Sequence, residues 1–82
     1  MNEQKVKCDQ VIRIGKNIKA IRKEKNIKPK EIIKQAQLEG VELTRETLVK
    51  IERCTQHPKA SQLMAIRNAL ETTYDELLKP NR

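Results

Sequence analysis

Residues 29–53 read PKEIIKQAQLEGVELTRETLVKIER, and this stretch decides the fold. Pro29 suits the first turn of a helix, because the N–H that proline lacks would have no helical partner there. Gly40 is typical of a position just beyond a helix end, and Thr44 is a strong N-cap for a following helix. The apolar residues at helical spacing are Ile32, Ile33 and Ala36 before the glycine, and Leu48 and Ile51 after the threonine. The stretch therefore predicts two short helices joined by a turn.

A first helix is predicted ahead of this pair. Asp9 is its predicted N-cap, and Asn26, which tolerates the left-handed conformation, ends it with Ile27 just beyond. Its apolar stripe is Val11, Ile14, Ile18 and Ile21, and its solvated side carries Arg13, Lys16, Lys19, Arg22, Lys23 and Lys25. Residues 1–8 are polar and show no periodic pattern, so we expect them to form a flexible arm.

Two further helices are predicted after a polar break at residues 54–58. The inner face of the fourth helix consists of Leu63, Ile66, Ala69 and Leu70. Thr73 and Glu76 have the spacing of a capping box, which opens a last short helix that Pro80 stops. The sequence thus predicts an all-α domain of five helices over residues 9–79.

The composition limits the classes of function. The chain carries 18 Lys and Arg against 11 Asp and Glu, a net charge of +7. A small basic domain often binds a polyanion, although lysine also keeps helical proteins soluble. Cys8 and Cys54 do not have the spacing of a zinc site, so neither a metal nor another cofactor is expected. The sequence has no apolar signal core and no apolar stretch long enough for a membrane, which predicts a cytoplasmic protein.

The two helices of residues 29–53 have the layout of a helix-turn-helix. In that motif the second helix presents its N-terminal residues to base edges in the major groove of DNA. With Leu48 and Ile51 facing the core, the outer side is left with Arg45, Glu46, Val49 and Lys50, and with Thr47 at the edge. In this set Arg45 could donate hydrogen bonds to guanine and Glu46 could accept one from cytosine. The remaining members add an apolar contact and a second cation. A merely solvated helix face would carry similar charges, so both interpretations stay open at this point.

From Ile14 to Leu78 the sequence resembles the phage repressor/Cro family of lambda-repressor-like helix-turn-helix proteins. The residues that carry the resemblance are Ile14-Gly15, Ile18, Arg22, Asn26-Ile27, Glu31-Ile32-Ile33, Thr44, Leu48, Ile51-Glu52-Arg53, Pro58, Leu63, Ile66, Ala69, Leu70, Thr73 and Asp75-Glu76-Leu77-Leu78. The resemblance implies a compact five-helix domain that binds a double-stranded DNA operator as a homodimer and represses transcription. It also implies a recognition helix at about residues 44–53 and a structural salt bridge between Arg22 and Glu52.

Some residues depart from the family pattern. The turn before the third helix is longer, through a segment at residues 38–43 that resembles one branch of the family. Lysines stand where the family has Ser or Thr caps at the second and fourth helices, and Cys54 replaces the usual glycine after the third. A cation at a helix start favours the binding of phosphate, because the N–H groups of the first turn also attract an anion there. The predicted contacts to the DNA backbone are Lys28, Lys30 and Lys59.

Other functions are less consistent with the residues. An enzyme is not expected, because His57 and Ser61 have no activating partners in the sequence pattern. Tyr74 is the only aromatic residue, and with Leu78 on the last helix it forms the predicted dimer interface. The alternative from another class is an antitoxin or a protein-interaction module that uses the same helical domain. RNA binding is disfavoured because base stacking requires aromatic side chains, and no small-molecule or membrane partner is expected.

Overall fold

The computed structural model describes residues 13–80, and within this range it contains five helices and no strand. The helices are α1 (Ile14–Glu24), α2 (Pro29–Leu38), α3 (Arg45–Glu52), α4 (Ala60–Leu70) and α5 (Tyr74–Leu77). The predicted all-α architecture of five helices is confirmed. The predicted arm at residues 1–8, the cap at Asp9 and the apolar Val11 lie outside the described residues. Arg13 was expected inside the first helix, and this is wrong, since its φ of −103° and ψ of 82° are not helical.

Most helix ends lie where the sequence signals place them. Thr44 and Thr73 cap α3 and α5, because each side-chain oxygen accepts an N–H three residues later, at 3.1 and 3.2 Å. Asn26 and Gly40 have φ values of +58° and +70°, the left-handed conformation that ends α1 and follows α2. Pro29 is the first residue of α2. Local chemistry therefore accounts for where the helices begin and end.

One aliphatic core holds the five helices together. Its buried members are Ile14, Ile18, Ile21, Ile32, Ala36, Leu43, Leu48, Ile51, Leu63, Ala65, Ile66, Leu70 and Leu77. Burial of a Leu or Ile side chain contributes about 1.5–3 kcal/mol, so this cluster dominates the favourable free energy of folding. The expected inner face of α4 is correct at Leu63, Ile66 and Leu70, whereas Ala69 is half-buried and Ala65 is buried in addition.

A glycine sets how closely α1 and α3 approach each other. Gly15 is buried, and a Cβ atom built on it would collide with the Ile51 carbonyl oxygen and lie 2.8 Å from the Glu52 carbonyl oxygen. Both of these are backbone atoms of α3, which cannot move aside as a flexible side chain would. The missing side chain of Gly15 is therefore what allows α3 to lie directly against α1.

Two polar side chains, one in α1 and one directly after it, hold the ends of other helices. Asn17 is buried, and its Nδ2 donates to the carbonyl oxygens of Leu77 and Lys79 at 2.7 and 2.9 Å, which fixes α5. Lys25, expected on the solvated side of the first helix, is exposed and is the residue directly after α1. Its Nζ donates at 2.7 and 2.9 Å to the carbonyl oxygens of Leu70 and Glu71, where a cation also complements the negative end of α4.

Candidate nucleic-acid interface

The first turn of α3 is capped and has one face turned outward. Thr44 Oγ1 accepts the N–H of Thr47 and lies 3.0 Å from Thr47 Oγ1, so the two hydroxyls bond to each other as well. A cap of this kind contributes about 1 kcal/mol to helix stability. Leu48 and Ile51 are buried in the core. The side of α3 opposite these two residues therefore faces solvent, and the cap at Thr44 holds the start of this helix in place.

The outward side of α3 carries the side chains expected there. Arg45, Glu46, Val49 and Lys50 are exposed, and Thr47 is half-buried at the edge. Glu46 and Lys50 form an ion pair with 3.5 Å between Oε1 and Nζ, and both side chains are more than half exposed. Such an i, i+4 pair contributes about 0.3–0.5 kcal/mol, so either charge can turn to another partner at little cost. Their spacing of four residues was a signal in the sequence for this pair.

Lysines occupy the N-cap positions of α2 and α4. The N–H of Lys28 donates to Glu31 Oε2 at 2.7 Å, and the N–H of Lys59 donates to Gln62 Oε1 at 2.9 Å. Because a lysine side chain has donors and no acceptor, neither can accept the first-turn N–H groups as Ser or Thr would. Each instead adds an ammonium group to the positive end of a helix dipole, an arrangement that suits an anion.

Three clefts show which of these residues come together around α3. The first is lined by Lys19, Arg22, Pro29, Arg45, Leu48, Val49, Glu52 and Arg53. The second is lined by Lys30, Glu31, Ile33, Lys34, Gln37 and Arg45. The third is lined by Glu42, Thr44, Thr47, Gln56, Lys59 and Gln62. Arg45 lines the first and second clefts, whereas Thr47 lines the third, and these two residues lie about 200° apart around α3. The start of α2 therefore borders one side of α3, and the start of α4 borders another.

Sequence reasoning missed three cations that line these clefts. Lys19 was placed on the solvated side of the first helix, and neither Lys34 nor Arg53 was among the predicted DNA contacts, although all three line the clefts. Spacing offered a signal for two of them, because Lys34 lies one turn after Lys30 and Arg53 lies two turns after Arg45. Lys19 belongs to a different helix, and its proximity to α3 arises only from the packing of α1.

The two residues expected to form a salt bridge do so in a double hydrogen bond. Arg22 Nε donates to Glu52 Oε2 at 2.8 Å, and its NH2 group donates to Glu52 Oε1 at 3.0 Å. The two side chains are only 15% and 9% exposed. The hydrogen bonds to Glu52 raise the pKa of the Arg22 guanidinium above its ordinary value, against the opposing effect of burial. The pair ties α1 to the end of α3 beneath the first cleft.

The residues of the predicted dimer interface have different surroundings. The Tyr74 side chain is exposed, and the Arg67 guanidinium lies 4.8 Å from the centre of its ring. Leu78 was expected on the last helix but is the residue directly after α5; it is half-buried and packs against the core. Among the large apolar residues of the described range 13–80, Leu38 has the largest exposed fraction, 74%. Dimerisation through Tyr74 and Leu78 stays a prediction.

Residues 13–80 contain no helix that is both long and apolar enough to cross a membrane. Within the same range, His, Cys, Asp and Glu side chains form no group of three that would hold a metal ion. Comparisons of the chain with models of protein families, with curated proteins and with solved structures gave no match. Function is therefore inferred from the geometry of the described residues.

Proposed function

We propose that the chain is a sequence-specific transcriptional regulator, a cytoplasmic repressor that inserts α3 into the major groove of double-stranded DNA. The observation that carries this proposal is the placement of α3. Its capped first turn presents Arg45 and Glu46 outward. Lys30 near the start of α2 and Lys59 at the start of α4 border it on two sides, whereas Lys28 does not line the three clefts. A helix that enters the groove between two phosphate strands needs this combination of a reading face and a lysine on each side of it.

The outward side chains of α3 match the chemistry of base edges. Arg45 can donate two hydrogen bonds to guanine O6 and N7, and Glu46 can accept from cytosine N4. Val49 offers methyl groups to the methyl group of thymine, and Lys50 adds a donor one turn after Glu46. In free protein the Glu46–Lys50 pair keeps these two charges balanced. DNA that offers each residue a partner would open the pair at small cost.

The flanking lysines supply affinity that does not depend on sequence. Lys28, Lys30 and Lys59 are exposed and stand at or next to the starts of α2 and α4. Ammonium groups and helix N–H groups in one place favour a phosphate. The net charge of +7 adds a long-range attraction to the polyanion. A homodimer with Tyr74 and Leu78 at its interface would place two copies of α3 on a two-fold operator.

Selection of bound duplexes from a random pool tests the proposal. We expect a preferred sequence with two-fold symmetry, because the proposed dimer presents the same helix twice. Recovery of sequences with no shared pattern would contradict the proposed function.

A salt titration with the selected duplex tests the backbone contacts. A dimer with about six to ten phosphate contacts should lose about 10³–10⁵ in affinity between about 50 and 200 mM salt. Lys59→Ala should lower the slope by about one unit. Lys23, which is exposed on α1 and is not among the residues that line the three clefts, provides a control of equal charge change. Equal slopes for Lys59→Ala and Lys23→Ala would contradict the proposed contact.

A further inference from the structure

The turn between α2 and α3 does not by itself determine how α3 is oriented. It runs from Glu39 to Leu43, and Gly40 in the left-handed conformation has no Cβ to restrict the backbone. A Cβ atom placed on Gly40 would have no neighbour within 4 Å, so packing does not restrain this residue either. Leu43, at the end of the turn, is buried. The N–H of Val41 donates to the Ala36 carbonyl oxygen at 2.8 Å, so the start of the turn is also tied to α2. Contacts from outside the turn add to this bond.

Two carboxamide side chains of α4 make such contacts. Asn68 Nδ2 donates to both carboxylate oxygens of Glu39, at 3.0 and 3.1 Å. Gln62 Nε2 donates to the carbonyl oxygen of Glu42 at 3.0 Å. Glu39 and Glu42 lie at the beginning and near the end of the turn. The turn is therefore attached to α4 at two points along its length.

The Gln62 contact also links two parts of the proposed DNA interface. Gln62 is only 7% exposed, and its Oε1 accepts the N–H of Lys59 while its Nε2 holds Glu42. Glu42 is two residues before Thr44, the cap of α3. One buried side chain thus joins the start of α4 to the start of α3. A buried amide that loses a partner is costly, which keeps both contacts made.

The Asn68 contact belongs to a small polar network. Gln35 Nε2 donates to the same Glu39 carboxylate at 2.6 Å, and Asn68 Oδ1 accepts from Arg67 at 2.6 Å. Hydrogen bonds from Gln35 and then from Asn68 hold the pKa of the Glu39 carboxyl below its ordinary value. The carboxylate is thus ionised at neutral pH and accepts from both α2 and α4.

We propose that Gln62 and Asn68 are positioning residues that, together with the packing of α3 on α1, set the orientation of α3 by holding the two ends of the turn before it. The inference rests on the proposed function, because it concerns how α3 enters the major groove of DNA. Neither residue needs to touch DNA for this role. Loss of a tether would let α3 turn, which weakens base contacts more than contacts to phosphate.

The variant Asn68→Asp tests the first tether, because a carboxylate at position 68 would face the Glu39 carboxylate while still accepting from Arg67. The readout is the ratio of affinities for the selected duplex and for a scrambled duplex, so that a change in net charge cancels. We expect this ratio to fall about tenfold. Adding Glu39→Gln restores an amide–carboxylate contact with donor and acceptor exchanged, and it returns the net charge to that of the wild type. The double variant should recover the ratio to within about threefold.

An unchanged ratio in Asn68→Asp would overturn the inference, as would a loss that Glu39→Gln does not recover. Gln62→Glu tests the second tether and serves if Asn68→Asp does not fold. It keeps the acceptor for the Lys59 N–H and loses the donor to the Glu42 carbonyl, so we again expect a fall of about tenfold in the ratio. A ratio equal to that of the wild type in Gln62→Glu would overturn the role of this residue.

Backbone amide chemical shifts test the positioning without DNA. In Asn68→Asp the amides of Thr44 to Thr47 should shift relative to the wild type, and in the double variant they should return. Unchanged shifts in this segment would overturn the inference. A wild-type chain that prefers no duplex would refute the proposed function alone, since the chemical shifts would still decide whether α4 positions α3.

Discussion

Removal of either partner from the Arg22–Glu52 pair should destabilise the domain strongly. The remaining charge would stay in a site where the two side chains are now only 15% and 9% exposed. It would also lose two hydrogen bonds of 2.8 and 3.0 Å. A charge left without its partner in such a site is the main source of the expected cost.

The magnitude follows from burial and from the size of the chain. Breaking a buried ion pair costs about 3–5 kcal/mol, and partial exposure of Arg22 places this pair at the lower end, near 3 kcal/mol. A domain of this size has a total unfolding free energy of about 4–12 kcal/mol. Each kcal/mol lowers the melting temperature of a small domain by about 4–8 °C, so we expect Arg22→Ala and Glu52→Ala to melt about 12–24 °C lower.

Thermal unfolding followed by circular dichroism measures this effect. The control is the double variant Arg22→Met/Glu52→Leu, which replaces both charges by apolar side chains of similar size and should be more stable than either single variant. Single variants that melt within a degree or two of the wild type would refute the reasoning. A double variant that loses the sum of both single effects would refute it as well, because the two charges would then act independently.

Three further changes have expected outcomes of their own. Gly15→Ala should cost about 2–3 kcal/mol in chemical denaturation because its Cβ collides with the backbone of α3, whereas Gly40→Ala, with open space around it, should cost about 1 kcal/mol. Equal costs would contradict the close approach of α1 and α3. Cys54 has a φ of +59°, so Cys54→Gly should raise the melting temperature by a few degrees while Cys54→Ala, which keeps the Cβ, does not. A rise for both variants would show that backbone strain is not the cause. The lowered pKa of Glu39 makes its contribution to stability present above the ordinary value of 4.5 and lost as the pH falls through the lowered value. The melting temperature of the wild type should therefore fall further than that of Glu39→Gln when the pH is lowered from about 7 to about 3. Equal falls in the two proteins would contradict this.

Local signals in the sequence predicted most of the fold. Helix starts at Pro29, Thr44 and Thr73 and helix ends near Asn26 and Gly40 depend on residues close by in the chain. Apolar spacing predicted which side of each helix is buried for the same reason, since the helical period relates neighbours only. These features required no knowledge of how the helices pack.

Contacts between distant residues were not predictable in this way. Asn17 and Leu77 are 60 residues apart, and Lys25 and Leu70 are 45 apart. A polar side chain on a helix gives no sign of which distant carbonyl it will reach. The same limit applies to Gln62, whose burial depends on where the turn before α3 comes to lie. The outward residues of α3 were predictable, whereas the attachments that orient α3 were not.

Binding curves for Arg45→Ala on the selected duplex and on a scrambled duplex test most directly whether α3 reads base sequence. Arg45 is exposed in the first turn of α3 and borders two of the clefts. Its loss should cost about 1–3 kcal/mol on the selected duplex and much less on the scrambled one. Lys59→Ala should weaken both complexes almost equally, because phosphate contacts carry no sequence information. Equal losses on the two duplexes for Arg45→Ala would show that α3 does not lie in the major groove.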